Sequence, residues 1–256
     1  VTDTAGTVEV TSVEGVATVI LRRERKRNAL SLHMESELLA ALHSPEVEKA
    51  DVIVVTGGPA VFSAGADVTE LREMNPRAIA DYYRASGAVY EVFANLRQPT
   101  VAAIAGYCLG GGLELSLAAD IRVASEDAVF GFPETSIGIL PSSGGVTRFG
   151  RVVGAGRARD LILRGRRFGT VEAERMGLVT EVTAPGEAVD GALRVARELS
   201  GFSSLALQYT KQALDVAADA PQHAALVVER LAYAALSVAD DQPGDRADQR
   251  LRPHER

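Results

Sequence analysis

The sequence predicts an α/β fold in which strand–glycine turn–helix units wind as a spiral and a helical piece follows. Three observations predict it. Strand and short-helix patterns interleave to about residue 185, and only helical patterns follow. Three times an apolar, β-prone run passes through glycines into a helix start: after Val52–Thr56, after Thr100–Ala105 and after Ala128–Phe132. The helical end is rich in Ala and Leu, too apolar to stand as an isolated hairpin, so it is expected to pack on its own body or on another subunit. No repeat is visible in the sequence itself.

The first run, Val8–Val13, alternates as a strand, Glu14-Gly15 turns, and Val16–Leu21 reads as its hairpin partner. A basic cluster follows: Arg22, Arg23, Arg25, Lys26 and Arg27. It is either a solvated loop or a clamp for phosphates. Ser31 caps a helix to about His43, and Val52–Thr56 is a buried-type strand broken by Gly57-Gly58-Pro59. Asp67 caps a helix over Val68–Met74, and a longer helix runs from Pro76 to about Leu96. Beyond Asp120 come short strands at Ile121–Ala124 and Ala128–Phe132. Ser142-Ser143-Gly144-Gly145 opens a helix, another runs from near Arg157 to Gly165, and Thr170 caps a short one ending at Gly177. Leu178–Val182 is the last strand, before helices over Ala188–Leu199, Ser203–Ala217 and Pro221–Val238 and a charged tail from Asp240 to Arg256.

The chain has 256 residues, 46% apolar and 24% charged, enough for one large core or two unequal domains. A formal net charge of −7 argues against a nucleic-acid surface. Cys108 is the one cysteine, so no intrachain disulfide forms and a reducing, cytoplasmic compartment is expected. His33, His43, His223 and His254 are scattered without metal-ligand spacing. The first residues show no basic and apolar leader pattern, and no apolar run reaches membrane-spanning length, so no secretory signal and no membrane partner are expected.

Chemistry concentrates at Ala105–Asp120. Gly110-Gly111-Gly112 precede a helix whose first N–H groups lack helical partners, which makes a site for an anionic oxygen. The plainer reading is a tight turn that lets a helix pack closely on a strand. The spacing is neither G-x-G-x-x-G nor a P-loop. Glu114 falls in the first turn as a possible acid or base, and the backbone N–H near Ala66 is a second oxyanion donor. Pro133 holds its predecessor extended, so Glu134 leaves a strand end at a bend, either as a working acid or as an exposed loop acid.

Phe62-Ser63-Ala64-Gly65-Ala66-Asp67, Ala105–Leu115 with its glycine triplet, and Phe132-Pro133-Glu134 with Gly138, Pro141 and Gly144-Gly145 together resemble the enoyl-CoA hydratase/isomerase (crotonase) superfamily. The similarity covers about residues 8–240. It implies a ββα spiral core (residues 1–194), a C-terminal helical trimerisation region (195–256), and a homotrimer or dimer of trimers. It further implies an acyl-CoA thioester substrate whose carbonyl oxygen sits between the Ala66 and Gly111 N–H groups. Glu114 and Glu134 map onto the two hydratase glutamates. Lys26, Arg23, Ala64, Ala66, Asp67, Gly110 and Gly111 are the implied coenzyme A contacts, with no metal and no cofactor beyond the substrate's own coenzyme A. Two departures stand out. Pro141-Ser142-Ser143 replaces a common Pro-Gly, and Arg246–Arg250 replaces an aromatic-plus-basic ending.

Hydration of a 2-enoyl-CoA to a 3-hydroxyacyl-CoA, a step of fatty acid metabolism, is the reading that uses both glutamates. Isomerisation of 3-enoyl to 2-enoyl thioesters needs mainly Glu134. Dehalogenation, decarboxylation or thioester hydrolysis on the same scaffold rank lower. A non-catalytic acyl-CoA-binding subunit is the reading of another class. No G-x-S-x-G elbow supports a serine hydrolase.

Overall fold

The computed structural model describes residues 5–239, with the backbone alone at Pro76 and residues 80–87. The chain opens with an antiparallel hairpin of β1 (Thr7–Val13) and β2 (Val16–Arg22). Glu14 (φ 49°) and Gly15 (φ 80°) join them, the two positive φ values that a hairpin with matching twist requires. A 3-10 turn (Glu24–Lys26) leads to α1 (Leu32–Leu42), which Ser31 caps through Met34 N. A short α2 (Pro45–Glu48) precedes β3 (Val52–Thr56), and α3 (Val68–Glu73) and α4 (Pro76–Ala94) follow, the former capped by Asp67.

Next come β4 (Thr100–Ile104), β5 (Tyr107–Leu109) and α5 (Gly111–Ala118), then β6 (Ile121–Ser125), β7 (Val129–Gly131), a 3-10 turn (Glu134–Ile137) and α6 (Gly145–Val153). The chain continues through α7 (Ala155–Leu163), β8 (Arg167–Gly169), α8 (Thr170–Arg175) and β9 (Glu181–Thr183). It closes with α9 (Ala188–Leu199), α10 (Ser204–Asp219) and α11 (Gln222–Val238).

The strands form a six-stranded sheet, β1-β2-β3-β4-β6-β9, parallel from β2 onward, and a three-stranded sheet, β5-β7-β8. Two turns of the spiral add a strand to the large sheet, then one to the small sheet, then a helix: β4, β5, α5 and β6, β7, α6. In the turn before these Ser63, bridged to Cys108, stands in for the small-sheet strand. Both faces of the large sheet are covered, so its central strands β3 and β4 are apolar apart from Thr56 and Thr100 at their ends. Ile53 and Val55 point into the main core with Phe62, Phe93, Ile104 and Phe149, while Val52 and Val54 meet Val101, Ala103 and Val123 beneath Ala192 and Ala196 of α9.

Several sequence expectations shift. The run into the glycine triplet is two strands, because Gly106 (φ 53°) bends the chain from one sheet to the other. A Cβ there would come close to the Ala60 carbonyl oxygen, so glycine is required. Thr170 is the first residue of α8 and not its cap; its hydroxyl donates to the Ser125 carbonyl at 2.7 Å, tying α8 to β6. The last strand sits at Glu181–Thr183, and Leu178 and Val179 fill the core instead. The division expected between residues 194 and 195 falls inside α9, whose apolar face belongs to the sheet. The tail, including Arg246–Arg250, lies outside the described residues.

Lys211 fastens α10 to the core. Its buried Nζ donates to Asp120 Oδ2 at 2.8 Å and to the Gln98 carbonyl at 3.2 Å. Beyond that anchor α10 and α11 expose Leu214, Leu231, Tyr233 and Val238.

Candidate active site

Glycine geometry builds one wall of the site. Gly110 has φ 50° and ψ −125°, a conformation that side chains rarely adopt, and it turns β5 directly into α5. As the first residue of α5, Gly111 has an N–H with no acceptor inside the helix. Ala66 lies opposite. Its neighbours Gly65 and Asp67 make the two hydrogen bonds of the bridge to Leu30, through Gly65 O and Asp67 N, which turns the Ala66 N–H the other way. Among the described residues neither N–H donates to the protein. The two segments touch: a Cβ on Gly65 would lie 2.7 Å from Leu109 O and 3.1 Å from Gly111 N. Two unpaired donors thus share one corner of a cleft.

Both glutamates enter the same cleft. Glu114, in the first turn of α5, is 4% exposed, and its Oε1 accepts from Ser143 N (2.7 Å) and Gly145 N (2.9 Å). Burial raises its pKa, while those two N–H groups and the charge of Arg148 pull it back. Glu134 is 8% exposed, and among the described residues its buried Oε2 has no hydrogen-bond partner. Burial, with the charge of Glu114 adding to it, pushes its pKa up to about 7. Its Oε1 sits against Gly110, where a Cβ would lie 2.8 Å away. Glu134 is therefore a buried acid and not an exposed loop carboxylate. Tyr90 and the apolar side chains Val68, Leu71, Ile137, Ile139 and Leu140 complete the lining.

The basic cluster is divided among different tasks. Arg23 is not available to a ligand's phosphates, because its buried guanidinium bonds Asp67 Oδ2 at 2.8 Å and the Ala29 carbonyl at 2.9 Å. Asp67 is committed in turn. It caps α3 through Thr69 N, and although burial opposes its charge, the bonds from Arg23 and Thr69 hold its carboxyl below the usual range. The two side chains are thus paired with each other beside the Ala64–Ala66 segment. Ala64 N–H is also taken, donating to the Arg27 carbonyl at 2.9 Å. Lys26 is exposed, and Arg27 and Arg167 flank the Tyr107 ring at 5.2 and 5.7 Å.

Sequence reasoning missed the residues that hold this corner in place. Asn28 is fully buried at φ 51°; its amide donates to the carbonyls of Gly57, Val61 and Phe62, and its Oδ1 accepts from Arg23 N. Ser63 Oγ donates to Asn28 O and accepts from Gly65 N, carrying that order to the Ala66 donor. The one available signal was a polar Asn wedged between a basic cluster and an apolar helix. The thiol of Cys108 is buried and pushed up to about 12, which makes it inert. Among the described residues no three His, Cys, Asp or Glu side chains gather to hold a metal, and no helix is long and apolar enough to cross a membrane.

Known proteins share this arrangement of chain. The enoyl-CoA hydratase/isomerase family model matches residues 11–246. A Rhizobium meliloti protein named "Probable enoyl-CoA hydratase" is 38% identical over 229 residues, covering 89% of this chain and 88% of its own. The crystal structure of enoyl-CoA hydratase from Bacillus anthracis superposes with a TM-score of 0.87 at 34% identity, covering 92% of each chain. That of the enzyme from Thermoplasma volcanium gives 0.87 at 31% identity, covering 96% of this chain and 97% of its own. With this match and the crotonase-type spiral, the chain belongs to the enoyl-CoA hydratase/isomerase family.

Proposed function

We propose that the protein is an enoyl-CoA hydratase, which adds water across the 2,3 double bond of a 2-enoyl-CoA thioester to give a 3-hydroxyacyl-CoA. The observation that carries this reading is the meeting of two buried carboxylates, Glu114 and Glu134, with two unpaired backbone donors in one cleft. Ala66 N–H and Gly111 N–H would bind the thioester oxygen and stabilise the negative charge that grows there. Ionised Glu114, held by Ser143 and Gly145, takes a proton from water as its oxygen bonds to C3. Protonated Glu134 gives its proton to C2, so one water is added and the proton balance closes when the two acids re-equilibrate with solvent. Val68, Leu71, Ile137 and Ile139 offer apolar contact to the acyl chain, and Lys26 and Arg27 offer cations to the phosphates of coenzyme A.

A panel of 2-enoyl-CoA thioesters tests the reading by loss of the conjugated absorbance, with products identified by mass. Hydration of one or more members, with a higher KM for pantetheine thioesters that lack the nucleotide phosphates, is expected. No turnover across the panel contradicts it and favours a binding subunit.

Gly65→Ala probes the donor corner. The new methyl would press on Leu109 O and Gly111 N at a residue with φ 92°. Turnover is expected to fall about 10²-fold, the usual loss for one oxyanion donor. Wild-type turnover in a folded Gly65→Ala protein would contradict the Ala66–Gly111 assignment.

The exposed apolar faces of α10 and α11 fit a homotrimer or dimer of trimers. Sedimentation equilibrium is expected to give three or six chains; a monomer at assay concentration would contradict this.

A further inference from the structure

The turn over Glu114 is held by an arginine that neither the oxyanion corner nor the proton transfers use. Arg148, on α6, reaches across to α4, where its Nη2 bonds Glu91 Oε1 at 2.6 Å. Its Nη1 donates to the Ser143 carbonyl at 3.3 Å, so the residue whose N–H goes to Glu114 is also held through its own C=O, in the next peptide unit. Gly144, at φ 101°, lies beneath the guanidinium: a Cβ there would sit 3.0 Å from Arg148 Cζ. Only glycine at 144 lets the side chain lie flat across the turn. The arginine is mostly buried, with its side chain 20% exposed, while Glu91 is an exposed partner.

We propose that Arg148 is a positioning residue: by bridging Glu91 and the Ser143 carbonyl, it clamps the turn at residues 142–145 so that Ser143 and Gly145 fix Glu114 as the base. Other charges around α5 do not substitute for it. Arg151 on α6 is paired with Asp219, and Glu91 on α4 is bound by Arg148 itself. Glu134 across the cleft carries the same sign as Glu114, Tyr90 of α4 lines the cleft, and Cys108 of β5 is an inert thiol. Arg148 is the cation that favours the ionised form of Glu114. Removing an opposite charge raises a carboxyl pKa, so the acid limb of the activity profile moves to higher pH.

The kinetic half of this proposal rests on the hydratase reading, so the test has a readout that needs no turnover. Arg148→Met, Arg148→Lys and Glu91→Gln are compared with wild type by the pH profile of kcat/KM on crotonyl-CoA. In parallel, infrared titration follows the Glu114 carboxyl band, assigned against Glu114→Gln. For Arg148→Met the Glu114 midpoint is expected to rise by about one pH unit. Its kcat is expected to fall about tenfold with KM unchanged, because the base is misplaced while the coenzyme A contacts stay. Arg148→Lys should restore the midpoint and only part of kcat, since it keeps the charge and loses the two-way bridge. Glu91→Gln, at an exposed position, should move both values less in the same direction. An unmoved Glu114 midpoint in both Arg148→Met and Glu91→Gln overturns the proposal. If the wild type hydrates no thioester while the midpoints still move, the hydratase reading falls and the role of Arg148 stands.

Discussion

Glu114→Gln is expected to lower the hydration rate on the order of 10³–10⁴-fold, the upper part of the range for losing a general base. The amide matches the carboxylate in size, so packing around α5 is preserved. Its carbonyl oxygen can still accept the Ser143 and Gly145 N–H bonds that Oε1 accepts at 2.7 and 2.9 Å, but the amide cannot take a proton from water. The loss should fall on kcat. Isomerisation of a 3-enoyl-CoA, where Glu134 alone can carry a proton between C4 and C2, should keep much of any wild-type rate. Parallel assays on crotonyl-CoA and a 3-enoyl-CoA check this. Hydration at the wild-type rate would remove Glu114 from the mechanism; equal loss of both activities would make it a structural acid.

Glu134→Gln is expected to cost as much, on the order of 10³–10⁴-fold, and to strike both reactions. The pH dependence carries the same assignment. A proton donor must be protonated, and the carboxyl of Glu134 is pushed up to about 7, so hydration should decline as pH rises through that value. Ionised Glu114 is needed at the other limb, which makes the profile bell-shaped. Stability should fall over the same pH range as activity on the alkaline limb. A carboxyl whose folded pKa is raised favours the folded state at low pH, and that contribution disappears as pH rises through the folded value. Raised from 4.5 to about 7, Glu134 costs on the order of 3 kcal/mol when ionised at alkaline pH. Glu134→Gln should therefore raise Tm relative to wild type near pH 8, with the difference closing near pH 5. An equal or lower Tm at pH 8 would contradict the burial argument.

How much was legible depends on how local each signal is. The β1–β2 hairpin, the buried β3 and the helices α9–α11 follow from period, caps and turn residues within a few positions, and they stand where the pattern puts them. The three-residue strands β5 and β8 were not distinguished, because strands this short are fixed by partners far along the chain and not by their own pattern. The basic cluster read as one patch, yet Arg22 pairs with Glu9, Arg23 with Asp67 and Arg27 with the Tyr107 ring. The separation of 44 positions between Arg23 and Asp67 hides that pairing from any local reading. In the same way the glycine triplet pointed to an anion site, but the separation of 29 positions between Glu114 and Ser143 concealed what holds that carboxylate. The close-packing reading of the triplet holds at Gly112, where a Cβ would lie 2.6 Å from Ser63 O.

The account depends most on the two main-chain amides beside the glutamate pair. A crystal structure with a bound 3-oxoacyl-CoA, which enolises in place, tests it most directly. The thioester oxygen is expected within hydrogen-bond distance of both Ala66 N and Gly111 N, with C2 and C3 lying between the Glu114 and Glu134 carboxyls. A thioester oxygen that meets neither amide, with the acyl group outside the glutamate cleft, would contradict the account.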